Sequence, residues 1–185
     1  MGEPKTSPHV DNYMIGKGVV SIAKWVNDAA GAYVDVGNCP KFEYEMTEQT
    51  IEHMSSRQGM KEQDQETVIQ VGYTLNFTLD EISIENLRMF LKATLSGTKV
   101  LQANQNVNQQ YAVKFASDNP VGPAINYEFW KCKLTPNGAF SLISDEYTSM
   151  SFSGKGLSDK AGHTSSPFMT ATFTGTAVTT TTTAP

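Results

Sequence analysis

Arginine is nearly missing from this chain. Lysine and arginine together number 14 among 185 residues, and only Arg57 and Arg88 are arginines. The formal net charge is −5. A nucleic-acid binder neutralises phosphates with a basic face and reads bases with bidentate arginines. A dedicated grip on DNA is therefore excluded, although passage beside DNA without holding it is not. Cysteine is as scarce: Cys39 and Cys132 form no CxxC pair and cannot build a disulfide framework. Two reduced, partly buried thiols are expected, with a single bridge as the alternative. No apolar run approaches the ~18 residues that a membrane span needs, so no membrane partner is expected. Met1 to Asp11 lacks the apolar core of a secretion signal. Synthesis and retention in a cytoplasm follow as the expectation.

Catalytic patterns are also thin. His9, His53 and His163 share no metal-ligand spacing. No nucleophile-elbow pattern occurs. Gly16-Lys17-Gly18 and Gly154-Lys155-Gly156 are glycine-flanked lysines, yet neither belongs to a phosphate-binding GxxxxGK[ST] loop. Asp145 and Glu146 are adjacent and read as solvated turn residues rather than an acid/base pair. The chain is read as a non-enzyme, with no catalytic residues, no cofactor and no metal. Met1 to Thr6 fits the loose myristoylation pattern, but Pro4 and the lack of a polybasic partner make it a coincidence. Asn76-Phe77-Thr78 is a glycosylation sequon on paper. It falls inside a strand of a chain without a secretion signal and is read as unused.

What is present is alternation. Hydrophobic residues make up 39% and charged residues 18%, which suits a β-rich globular domain. Ile69, Val71, Tyr73, Leu75, Phe77 and Leu79 alternate with Gln70, Gly72, Thr74, Asn76, Thr78 and Asp80. A period of two puts one set on each face of a sheet. Twelve or so residues at ~3.3 Å span roughly 40 Å, about twice a usual strand. Lys41 to Thr47 alternates too, with Phe42, Tyr44 and Met46 on one face. Between the two strands runs a polar connection, residues 48–67, read as a loop that is either mobile or ordered by a partner. Within it Glu52, Glu62, Asp64 and Glu66 outnumber Arg57 and Lys61.

Ser83 is a good N-cap for a helix over about residues 83–94, with Glu85 in its first turn, an apolar stripe of Ile84, Leu87, Phe90 and Leu91, and Gly97 as the stop. The first half also holds strands over Tyr13 to Trp25 and Ala32 to Val36, with a turn over Val26 to Gly31 between them. The second half reads as all-β. Strands are expected over 98–103, 110–117, 125–134 with a bulge at Trp130, 139–143, 147–154 and 167–178. The domain plan is a loose arm at 1–12, one domain at 13–178 and a Thr-rich tail at 179–185. The fold class is mainly β: an antiparallel β-sandwich or barrel with one flanking α-helix. A strand this long at a sheet edge invites aggregation unless it is paired, and pairing with another copy would satisfy it.

Several short pieces carry a resemblance. Ile15-Gly16-Lys17-Gly18, Gly37-Asn38-Cys39-Pro40-Lys41-Phe42, Ser55-Ser56 and Gly59 in the polar connection, Tyr73-Thr74-Leu75-Asn76-Phe77-Thr78-Leu79-Asp80-Glu81, and Glu85-Asn86-Leu87 are similar to the major tail tube proteins of long-tailed, non-contractile bacteriophages. The likeness covers roughly residues 13–92. It implies a β-sandwich with a flanking helix, hexameric rings stacked into a tube, and strands contributed to an oligomeric inner β-barrel. The partners it implies are further copies of the chain, a tape-measure protein, and tail terminator or tip proteins, with DNA passing through the lumen unheld. It also implies a place in the virion tail, after assembly in a bacterial host's cytoplasm. Carried onto this chain, Glu43, Glu45, Gln70, Thr74, Asn76 and Thr78 would line the lumen. Glu52, Arg57, Lys61, Glu62 and Asp64 would reach a neighbouring subunit or ring. Two other readings stay open: a monomeric carbohydrate-binding sandwich using Trp25 or Trp130, and a tube protein of a contractile or secretion system.

Overall fold

The computed structural model describes residues 12–57 and 59–174. The tail at 179–185, the end of the expected last strand and all but the last residue of the expected N-terminal arm lie outside the described residues. In chain order the elements are β1 (Gly18–Val26), β2 (Ala29–Ala30), β3 (Val34–Asp35), β4 (Lys41–Ser55), β5 (Glu62–Leu79), α1 (Ile84–Phe90), β6 (Thr94–Ser96), β7 (Val100–Gln102), β8 (Tyr111–Ser117), β9 (Ile125–Pro136), β10 (Met150–Gly156) and β11 (Met169–Phe173). All strand pairs are antiparallel. One sheet runs β2-β1-β8-β9-β10-β5-β4, with β3 on β1 and β11 on β9; β6 and β7 form a separate pair.

That sheet is bent so that its distant strands face each other. Phe42 of β4 stacks on Phe115 of β8 with centroids 5.6 Å apart, and Tyr44 meets Tyr127 of β9 at 5.4 Å. Between these walls lie Val20, Tyr73, Leu75, Phe77, Leu79, Val113, Phe129 and Phe152, all buried. The odd positions of β5 from Tyr73 to Leu79 are thus the core face, as the alternation predicts, whereas Ile69 and Val71, expected to pack there too, stand about half exposed. The β1–β2 hairpin turns on Asn27 and Asp28, whose φ values of 52° and 57° match a two-residue type I′ turn. Between β8 and β9 the register steps by two residues on one strand and three on the other, leaving an extra residue beside Trp130, the bulge expected there. Both thiols are free, as expected.

Four expectations need correction. The connection at 48–67 is mostly strand: β4 runs on to Ser55, β5 begins at Glu62, and only six residues turn between them. Period-two polarity is imposed by a buried side, and this stretch has no buried side to impose it. Second, the helix ends at Phe90, not near Thr94. Lys92 takes φ 49°; its N–H bonds Met89 O and the Ala93 N–H bonds Arg88 O, a Schellman stop without glycine. Third, Phe90 of the expected stripe is buried and Leu87 and Leu91 pack against the core, but Ile84 stands half exposed, and Asn86 and Met89 complete the buried face. The Asn86 amide fixes that face inward by donating to the carbonyls of Val36 and Glu81. Fourth, residues 139–149 form a loop instead of the strand expected over 139–143 and the start of the one expected at 147. Ser141 and Thr148 close it with side-chain hydrogen bonds to Ile143 O and Ser141 O, and Phe140 packs on Phe90. Asp145 and Glu146 are exposed in that loop, in keeping with their reading as solvated turn residues.

Candidate assembly surface

The β4–β5 hairpin is the feature that a self-contained domain does not need. Its ladder pairs Lys41 with Thr78 at the root and Ser55 with Glu62 at the tip. β10 covers β5 only from Leu79 to Thr74. From Tyr73 to Glu62 the hairpin is therefore a two-stranded arm, about 40 Å long at ~3.3 Å per residue. Among the described residues β4 is an edge strand over its whole length. A two-stranded ribbon is marginally stable in water by itself, and its outer N–H and C=O groups are open to another strand.

The arm continues a pattern that the body buries. Tyr73 is 1% exposed, but Val71, the next residue on that face, is 48% exposed. Met46, Ile51, Met54, Val68 and Ile69 are likewise open, and Met60 near the tip is 85% exposed. Threonine and β-branched residues give the arm its strand preference. The register shifts between Gln49 and Thr50 and between His53 and Met54, so one β5 residue is extra at each place. Such bulges bend and twist a ribbon. Near the tip His53 Nδ1 lies 2.5 Å from Asp64 Oδ1, bracing one strand to the other.

At the root, the pieces that carry the sequence resemblance converge. Asn38 Nδ2 donates to Asp80 Oδ2 at 2.6 Å, and Asp80 N–H reaches Asn38 O at 3.4 Å. Gly37 takes φ 79°, and a Cβ there would lie 1.9 Å from the Glu81 carboxylate. Asn86 ties this corner to α1 with bonds of 2.8 Å to Val36 O and 2.9 Å to Glu81 O. The motif residues anchor the start of β4 against the end of β5.

The proposed lumen residues share one face of the ribbon. Glu43 pairs with Asn76, Glu45 with Thr74, and Gln70 with Gln49, while Thr78 lies opposite Lys41. That face extends over β10 and β9, where Thr78 meets Ser151 through their hydroxyls at 3.1 Å and Lys155 lies between Thr74 and Lys133. The other set is gathered at the distal end: Glu52 lies opposite Glu66, Glu62 opposite Ser55, Asp64 beside His53, and Arg57 and Lys61 in the turn. Sequence reasoning missed Lys133 and Lys155. Alternation with buried Cys132 and Leu134 marks Lys133 as outward, but nothing local reveals that Lys155 lies across from it.

Elsewhere the surface offers less chemistry. A cleft of about 700 Å³ lies between β1, β3 and α1, lined by Ile22, Val34, Val36 and Met89 and rimmed by Lys24 and Arg88, both on Glu85. Asp159 is buried and holds His163 at 2.7 Å, and the imidazole stacks on Trp130 at 3.7 Å. Lys131 Nζ sits 5.3 Å over the Trp25 ring. Among the described residues no three His, Cys, Asp or Glu side chains cluster as metal ligands. Burial raises the Cys39 thiol to about 11 and the Cys132 thiol to about 12, so neither is a ready nucleophile.

The architecture is that of a mainly antiparallel β protein with one short helix and a projecting hairpin. The chain belongs to the family described as Protein of unknown function UCP028589, whose model matches residues 13–100 and 94–172. No curated protein matches it.

Proposed function

We propose that this protein is a structural virion subunit that polymerises as stacked hexameric rings into a phage tail tube, a conduit for genome ejection. The observation that carries the reading is the β4–β5 arm: a long two-stranded ribbon with free edges and open apolar side chains, anchored rigidly at its root. In the proposed tube the curled β-sandwich of each subunit lends strands to a shared inner barrel. The face with Glu43, Glu45, Gln70, Thr74, Asn76 and Thr78 lines the lumen, and the arm tip reaches the next copy. The lumen holds a tape-measure protein and later passes DNA. Terminator and tip proteins meet the tube's two ends, and assembly takes place in the host cytoplasm. A hydroxyl- and amide-rich wall suits such a passage, because each exposed cation that met phosphate would slow transit.

The monomeric sugar-binding alternative needs an open aromatic platform, whereas each tryptophan is half-buried with one face taken by His163 or Lys131. A contractile or secretion-system tube uses the same features and stays within the proposal's class. Negative-stain electron microscopy of the purified protein tests the reading. Tubes or six-fold rings are expected; a monomer that persists at high concentration and binds oligosaccharide overturns it.

A further inference from the structure

Two like-charge cross-strand pairs of opposite sign stand on this surface. On the arm, Glu52 lies directly opposite Glu66. On the body, Lys155 of β10 lies directly opposite Lys133 of β9. Like charges facing each other across a ladder destabilise it. None of the four takes part in an ion pair among the described residues. Among the described residues Lys133 Nζ meets the Asn108 amide oxygen alone, at 3.3 Å. The two pairs cannot neutralise each other within one copy: the lysines sit level with Thr74, and Glu66 is eight residues further along β5, roughly 26 Å away.

The imbalance is wider than four residues. From Glu48 to Val71 the arm carries five carboxylates (Glu48, Glu52, Glu62, Asp64 and Glu66) against Arg57 and Lys61. The excess of acid is concentrated where the ribbon lacks any covering layer. The lysine pair sits at the root of the arm, with Lys131 further along β9.

We infer that the acidic segment of one copy's arm, centred on Glu52 and Glu66, docks on the Lys133–Lys155 pair at the arm root of a neighbouring copy. This rests on the reading of the arm as an assembly element and names the surface that receives it. The occupant is a second copy because one chain carries both halves of the match. Two different patches in contact propagate around a ring or along a filament when the contact is not reciprocated, and close a two-fold dimer when two copies exchange arms. Bringing the pairs together removes both repulsions and gives each carboxylate a cation.

The test is charge reversal with mixing. One variant carries Glu52→Lys and Glu66→Lys, the other Lys133→Glu and Lys155→Glu. Circular dichroism checks that both fold, and sedimentation velocity reads association at low and high salt. Each variant by itself is expected to associate roughly a hundredfold more weakly than the parent chain, because like charges now meet at the contact. An equimolar mixture regains association, since the reversed arm of one variant fits the reversed body of the other. Parental association that weakens with salt also belongs to the inference. If either variant assembles as the parent does, or the mixture gains nothing over its components, the docking surface is wrong while the assembly reading stands. A parent chain and a mixture that both stay monomeric overturn the two together. If reversal unfolds a variant, the neutral changes Glu52→Gln/Glu66→Gln and Lys133→Gln/Lys155→Gln replace it. The inference fails if these leave both the association and its salt dependence unchanged.

Discussion

Asn86 is the residue on which the arm's anchorage can be measured. Its side chain is 4% exposed. One amide group donates to two carbonyls, Val36 O at 2.8 Å and Glu81 O at 2.9 Å, while its backbone N–H meets the Ser83 hydroxyl at 3.1 Å. Asn86→Ala removes both amide bonds. Each is worth about 1 kcal/mol net, and a buried carbonyl left without a donor costs about 1–3 kcal/mol more. Val36 is buried, so its carbonyl bears that cost, whereas Glu81 is exposed and regains water. The better helix propensity of alanine returns roughly half a kcal/mol. The expected loss is therefore about 2.5–4.5 kcal/mol, on the order of 10 °C in Tm for a domain of this size. Asn86→Asp keeps the shape but turns acceptor oxygens toward two carbonyls, and is expected to cost more than the alanine change. Urea unfolding with an unchanged m value reads both effects. A loss under about half a kcal/mol for Asn86→Ala, or an aspartate variant as stable as the parent, would refute the assignment of these bonds.

Other consequences are open to direct measurement. Arm amides between Thr50 and Thr67 are expected to exchange quickly in the unassembled subunit and slowly in any assembled form, since a two-stranded ribbon is marginal by itself; hydrogen-exchange mass spectrometry checks this against β10 as a slow internal standard. Gly156→Ala places a Cβ 2.3 Å from the ring of Tyr73, which is held by its hydroxyl bond to Lys131 O, and is expected to cost about 1–3 kcal/mol by overpacking in thermal unfolding. Lys92→Gly relieves a side chain at φ 49° and is expected to stabilise by about 0.5–1 kcal/mol in the same assay. Burial lifts Cys39 from 9.0 to about 11 and Tyr111 from 10.0 to about 12. The folded state therefore holds protons that the unfolded chain releases. The stability from this source is complete below pH 9 and falls as pH rises through about 11–12, which chemical unfolding at stepped pH reads.

The parts of the fold legible in the sequence are those where one side of an element is buried. Tyr73 to Leu79 alternates because a core lies on one face, and that face was assigned correctly from the pattern alone. Trp130 broke the alternation of its strand, and a bulge lies there. Ser83 caps the helix because its hydroxyl has a local task. The arm was illegible as strand for the converse reason. Beyond Thr47 neither face of β4 meets a core, so Glu48 to Ser55 shows no period to read. The helix stripe is legible through Leu87, Phe90 and Leu91, but Asn86 is not, because hydropathy ranks asparagine as surface while two backbone carbonyls at a buried corner make it an inward residue. Of the candidate site, alternation separates polar from apolar residues within each strand, the resemblance groups the six as one lining, and the register of β4 on β5 puts them on one face. The Lys133–Lys155 pair needed the pairing of β9 with β10, a contact between positions 22 residues apart that no local pattern encodes.

The acidity of the arm also bears on which assemblies it permits. A free edge strand pairs readily with another copy of itself, and an uncharged arm of this length would do so. Here Glu43, Glu45, Glu48 and Glu52 all lie on the edge strand, so two β4 edges brought side by side would set carboxylates against carboxylates. Symmetric arm-to-arm pairing is thereby disfavoured, and pairing with a surface that carries lysines is not. The same charges that make the arm costly to leave bare thus favour an arm-to-body contact over an arm-to-arm one. An arm-to-body contact that is not reciprocated builds the rings and tubes of the proposed assembly. In the proposed conduit that selection has a second effect. Lys133 and Lys155 lie on the face assigned to the lumen, and carboxylates seated on them would take two cations per subunit out of reach of passing phosphates.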